Sequence, residues 1–241
     1  MEEAFLMRST MFDIVKLSSD KLQYDLFVDD DDVMGDRFTS VIESNIVRWF
    51  FYNEQRLTQY LFYEELGIGE NYKLFLEVQK PIIKDSGLPG DIDILLVDVV
   101  NPHLSIAFEV KKTKVIIDPD DRVILKTSKV KHGILQCKHM YNKYRFHKTF
   151  LMLLLVTDGA NRGYNQQMFR YPSYAEKKSV YFHSGFGDLP EDVGIFIIEI
   201  NQPSRNSIDF TGQISSKMLK SAKSNDQLNE TTESIIAFLR K

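Results

Sequence analysis

The sequence predicts an α/β fold: a mixed central sheet flanked by helices, with additions at both ends. Three observations carry that prediction. Short runs of β-branched and aromatic residues alternate with segments whose apolar residues recur at helical spacing. The run Phe150 to Val156 is apolar throughout, as expected of a strand buried on both faces. A chain of 241 residues, 43% hydrophobic and 27% charged, is large enough and apolar enough for one well-filled core.

The elements follow in order. Residues 1–35 read as an N-terminal appendage. Met11–Leu17 and Gln23–Val28 are rich in β-formers and are separated by Ser-Ser-Asp-Lys, which suggests a hairpin. Asp29 to Asp32 form an acidic loop without the alternating ligands and glycine turn of a calcium loop. Residues 36–205 form the main domain. A helix is expected from about Gly35 to Tyr52, continuing or restarting to about Leu66, because Phe38, Ile42, Ile46, Trp49 and Asn53 share one face. Strands are expected over Leu74–Ile82, Asp91–Val99 and Leu104–Lys111, with turns at Ser86–Gly90 and Asn101-Pro102 and a loop at Asp118–Asp121. A second helix spans Ser128–Tyr144, where Val130, Ile134, Cys137, Tyr141 and Tyr144 make one stripe. Further strands are expected at Phe150–Val156, Ser179–His183 and Ile195–Ile200, with Gly185–Asp188 as a hairpin loop between the last two. Residues 206–241 form a C-terminal segment whose helix, from about Asn225, presents Leu228, Ile235, Ile236 and Leu239.

Composition excludes several function classes. The longest apolar run is far short of the roughly 20 residues that span a bilayer, so no membrane partner is expected. The start, Met-Glu-Glu-Ala, lacks the basic and apolar regions of a signal peptide. A single cysteine, Cys137, excludes an intrachain disulfide and a multi-cysteine zinc site, and a reducing cytoplasmic setting is expected. There is no Gly-x-Gly-x-x-Gly and no P-loop. His132, Cys137 and His139 lie on one predicted helix but point in different directions, which argues against a transition-metal site.

Charge is unevenly placed. Residues 1–110 carry 9 Lys and Arg against 21 Asp and Glu, a balance of −12. Residues 111–148 carry 11 against 3, a balance of +8, within a chain of net −4. Such a chain is not a general polyanion binder, but its basic block could grip a phosphate backbone locally.

Two predicted strands carry charge where a core strand should not. In Gly90-Asp91-Ile92-Asp93-Ile94-Leu95-Leu96-Val97, Asp91 and Asp93 share a face. In Ser105-Ile106-Ala107-Phe108-Glu109-Val110-Lys111-Lys112, the small residues Ser105 and Ala107 share a face with Glu109 and Lys111. The short connection from Asp98 to Leu104 makes the strands neighbours, bringing Asp93 towards Glu109. Two carboxylates that close repel unless a cation lies between them, and oxygen ligands suit Mg²⁺ or Mn²⁺.

These residues, Pro89-Gly90-Asp91-Ile92-Asp93 followed by Glu109-Val110-Lys111, resemble the motif of the PD-(D/E)xK nuclease superfamily, the restriction-endonuclease-like fold. The resemblance covers roughly residues 36–157 and implies an αβββαβ core. It implies that Asp93, or alternatively Asp91, and Glu109 hold a metal, with the main-chain carbonyl of Val110 completing the shell. It implies that Lys111 positions or deprotonates the attacking water and steadies developing negative charge. The family often adds a Glu from the first helix, for which Glu43 is the candidate, and some branches add a Gln from the helix after Glu-x-Lys, for which Gln136 is. The RecB-type Gln-x-x-x-Tyr pattern is not met, since Met140 stands at the fourth position and Tyr141 at the fifth. Lys112, Lys129, His132 and Lys143 are candidates for contact with nucleic acid, DNA being expected over RNA. Many relatives dimerise, so a homodimer or another protein partner is compatible. The implied function is a Mg²⁺-dependent nuclease; the alternative is a nuclease-fold subunit of a larger nucleic-acid-processing or defence complex, working through partner binding.

Overall fold

The computed structural model describes residues 8–13, 42–53, 58–78, 92–117, 122–158, 172–202 and 211–240. The predicted hairpin's later part, the acidic loop, the turn at Ser86–Gly90, Asp91 and the loop at Asp118–Asp121 lie outside them. The architecture is α/β, as expected: among the described residues eight strands form one mixed sheet with helices on both faces.

The strands are β1 (Arg8–Asp13), β2 (Tyr72–Val78), β3 (Ile92–Asp98), β4 (Ile106–Ile117), β5 (Val123–Lys126), β6 (Lys148–Asp158), β7 (Gly194–Gln202) and β8 (Thr211–Lys220). Their order is β1-β8-β7-β6-β4-β3-β2, with β5 paired to the far end of β4. β4, β6 and β7 run parallel, and every other pairing is antiparallel. The parallel strands sit mid-sheet and are largely buried, because both faces are covered.

On one face lies α1 (Glu43–Arg48), which passes directly into the π-helical turn Trp49–Asn53; further helical turns follow at Gln59–Tyr63 and Glu64–Leu66. Trp49, Phe50, Phe51, Leu61 and Phe62 pack there on Ile94, Phe108, Val110 and Phe150. Phe108 and Phe150 stack across the strands at 4.9 Å. The helix begins later than its spacing suggests: Ile42 has extended backbone (ψ 154°), so Glu43 is the first helical residue.

The other face carries α2 (Ser128–Tyr144), α3 (Tyr174–Tyr181) and α4 (Asn229–Leu239). All five stripe residues of α2 are buried there, against Ala107, Leu151, Leu153 and Leu155. The expected strand at Ser179–His183 is instead the end of α3. Ser173 and Glu176 form a reciprocal capping box that starts this helix, and the cap outweighs the β-forming Val180-Tyr181-Phe182 run. The expected hairpin loop at Gly185–Asp188 is a 3₁₀ turn, Ser184–Asp188. Strand β4 runs six residues beyond Lys111, because Val115, Ile116 and Ile117 pair with β5. Strands β5 and β8 had no counterpart in the sequence reading. β1 pairs with β8, so residues 8–13 belong to the sheet.

Candidate active site

Strand β3 delivers Asp93 at a break in both its ladders. Its pairing with β4 ends at Ile94–Phe108, one residue short of Asp93 and Glu109. Its pairing with β2 skips the position opposite, where Glu77 takes a left-handed backbone (φ 47°) and pairs with Arg48 of α1. Freed from the ladder, the Asp93 carboxylate accepts the Val110 N–H at 2.7 Å through Oδ2. It thereby replaces a strand hydrogen bond with a side chain.

Strand β4 delivers the remainder. Ala107 pairs with Leu95 on the α2 face, and Glu109 and Lys111 follow on that face at the strand period of two. The Lys111 ammonium donates to Glu109 Oε1 at 2.5 Å and to the Val110 carbonyl at 2.7 Å. It also stands 3.8 Å from Glu43 Oε1 and 3.9 Å from Asp93 Oδ2. Glu43, at the first turn of α1, accepts the backbone N–H of Lys112 with its other oxygen. Glu43, Asp93, Glu109, the Val110 carbonyl and Lys111 therefore meet around one point, from α1 and the two neighbouring strands β3 and β4. Glu109 forms the floor, its side chain 4% exposed, and Asp93 the rim, at 28%.

The electrostatics follow from that crowding. Burial pushes the Glu109 carboxyl up to about 8, the charges of Asp93 and Glu43 add to the rise, and Lys111 opposes it. Burial alone would lower Lys111, but Glu109, Asp93 and Glu43 outweigh it and hold the ammonium above its ordinary value. Three carboxylates share one full cation, so the cluster is short of positive charge.

All four acceptors are oxygens, the donor set that suits Mg²⁺ or Mn²⁺, and three carboxyl groups crowd around one ammonium. The residues thus fit a hard divalent cation. In this conformation the carboxylates converge on the ammonium: among the described residues no three His, Cys, Asp or Glu side chains are gathered to hold a metal as they stand.

The other expected residues are dispersed. Gln136 lies one turn beyond Gly133 on α2, and its amide oxygen is buried without a hydrogen-bond partner. Lys129 and His132 are exposed on the first turns of α2. Lys112 is only 6% exposed. Burial pulls its ammonium down to about 8, helped by Lys114 and Lys129 and opposed by Glu43. Lys143 lies about 15 Å along the helix axis from Gly133, half-buried with its ammonium 4.6 Å over the Tyr144 ring. It does not join the site. Cys137 is wholly buried, and burial, then the Glu109 charge, push its thiol up, so it is inert.

Two contributors escaped the sequence reading. A Cβ on Gly133 would stand 2.3 Å from Lys111 Cγ, so glycine is what lets the lysine stem lie against α2. A glycine inside a helical pattern was the available signal. The second is Glu77, whose left-handed backbone depends on non-local contacts. No family model, no curated protein and no solved structure matches this chain.

Proposed function

We propose that this protein is a divalent-metal-dependent nuclease that hydrolyses phosphodiester bonds, with DNA as the first substrate to test. The observation that carries the reading is the convergence of Glu43, Asp93, Glu109 and the Val110 carbonyl on the Lys111 ammonium. A merely structural pair would have needed one carboxylate, and burying surplus charge costs several kcal/mol. The PD-(D/E)xK resemblance supports the same reading, with α1, β2, β3, β4, α2 and β6 as the αβββαβ core in chain order.

Asp93, Glu109 and the Val110 carbonyl would hold Mg²⁺ or Mn²⁺, with Glu43 beside them. The metal, when bound, supplies a lowered water pKa and a polarised phosphate. Lys111 would give up its place among the carboxylates and turn its ammonium to the attacking water and to the charge that develops on the phosphate. Gly133 keeps the lysine stem close to α2, so that Nζ stays within reach of the cluster. Gln136, one turn beyond Gly133, would offer a desolvated acceptor. Lys129 and His132 would meet the backbone of the substrate and give affinity without reading sequence.

The test is incubation of supercoiled plasmid and single-stranded circular DNA with the protein in Mg²⁺, in Mn²⁺ and in EDTA. Cleavage that needs the metal and disappears in both Asp93→Ala and Lys111→Ala supports the reading. Cleavage that survives both substitutions rejects the site. An inactive wild-type protein passes the weight to the alternative, a subunit that acts through a partner.

A further inference from the structure

The first residue of α3, Tyr174, and the residue that ends it, Phe182, expose two aromatic rings that meet. Phe182 is 58% exposed and Tyr174 45%, with ring centroids 6.5 Å apart at 82°. Tyr174 also packs on Tyr181 at 4.8 Å, and the Lys217 ammonium stands 4.4 Å from the Tyr174 ring and 4.7 Å from that of Tyr181. Lys217 is 6% exposed, so the Tyr174 ring is supported from the protein side by a fixed cation.

This corner adjoins the catalytic helix. The 3₁₀ turn after Phe182 packs on α2 so closely that a Cβ on Gly185 would lie 2.9 Å from Ile134 Cδ1. Ile134 follows Gly133, on which Lys111 rests. His183 feels Lys131: burial first, then that ammonium, lower its basicity. The helix itself contains no Asp or Glu, and Lys129, Lys131, His132 and Lys138 are all exposed on it. Glu176 of α3 is engaged by Ser173 in the capping box.

Basic residues alone would serve any phosphate backbone, paired or not. Exposed aromatic rings add something only where bases are unpaired and offer their faces. We infer that Phe182 and Tyr174 form a stacking platform for unpaired nucleobases, and that the substrate is single-stranded beside the scissile phosphate. This deepens the nuclease reading and rests on it for the substrate class, but binding can be measured without cleavage.

The experiment is fluorescence anisotropy with wild-type protein in EDTA, using a labelled oligothymidylate, the corresponding oligouridylate and a blunt duplex of equal length. The single strands are expected to bind at least tenfold tighter than the duplex. Phe182→Ala is expected to weaken single-strand binding roughly tenfold, Phe182→Tyr to restore it, and neither to change duplex binding. The two single strands distinguish DNA from RNA as the source of the bases. Preference for duplex, no binding to any of the three, or unchanged single-strand binding in Phe182→Ala overturns the platform, as does a dimer that Phe182→Ala dissociates. Cleavage with no dependence on Phe182 overturns the platform alone; Phe182-dependent binding without metal-dependent cleavage overturns the nuclease alone.

Discussion

At the scale of single residues, Glu109 and Gly133 do opposite work on Lys111. Glu109 draws the ammonium inward and is itself held protonated up to about 8 by burial and by Asp93. Its folded value is above the ordinary carboxyl range, so the folded chain binds a proton that the unfolded chain has already released. Stability from this group is therefore complete below about pH 4.5 and is lost as pH rises towards 8. In EDTA, the stability difference between wild type and Glu109→Gln should change across that window, with wild type losing ground as pH rises by a few kcal/mol at most; a parallel pair of curves would show that Glu109 is ionised throughout. Gly133 instead clears space. Gly133→Ala gains up to about 1 kcal/mol of helix propensity but drives a methyl into the lysine stem, which costs about 1–3 kcal/mol. The net is a loss of about 0–2 kcal/mol, while cleavage, sensitive to a shift of about 1 Å, should fall roughly 100-fold. A glycine variant with full activity would remove Gly133 from the site. Asp93, Glu109 and Lys111 were legible because charges on otherwise apolar strands demand a reason. Gly133 and Glu77 were not, because their meaning lies in what another element places against them.

At the scale of elements, those with a local cause are the ones the sequence specifies. Helix α2 begins and ends where its stripe does, at Ser128 and Tyr144, since one amphipathic face and a left-handed C-cap at Arg145 define it. At Ser179–His183 the β-forming Val180-Tyr181-Phe182 run is overridden by the Ser-x-x-Glu cap that starts the helix. Strand β8, Thr211–Lys220, mixes polar and apolar residues, and only its pairing with β7 and β1 reveals it. Helix α3 is fastened to β7 by a buried pair, Lys177 to Glu199 at 2.6 Å, with both residues under 10% exposed. Lys177→Met leaves Glu199 charged and buried, and should destabilise by about 3–5 kcal/mol. Replacing both with apolar residues of similar volume should recover most of that loss in a denaturant titration. If the double variant is as unstable as the single, the pair does more than balance its own charge, and α3 depends on it for position.

At the scale of the whole molecule, a net charge of −4 conceals a strong separation: +8 over residues 111–148 and −12 over residues 1–110. Long-range attraction of a polyanion is therefore weak, and binding has to rest on the few cations that make contact. Sheet order explains how the basic segment comes to the site: β4 runs down mid-sheet, turns through β5 and returns along α2 over the same strand, so Lys111 and the exposed lysines of α2 share one region. The hairpin neighbours β3 and β4 are written in their short connection, but partners as remote as β1 and β8 are chosen by the folded chain as a whole. Few contacts imply a shallow salt dependence. With Lys129, Lys131 and Lys138 each meeting one phosphate, the logarithm of the single-strand binding constant should fall with the logarithm of salt at a slope of about −2, since each contact contributes about −0.7. Removing one of these lysines should flatten the slope by about 0.7 and weaken all sequences equally. A slope several times steeper would require cations beyond α2 to join the interface. A slope near zero would mean that the aromatic corner, not the basic helix, holds the strand.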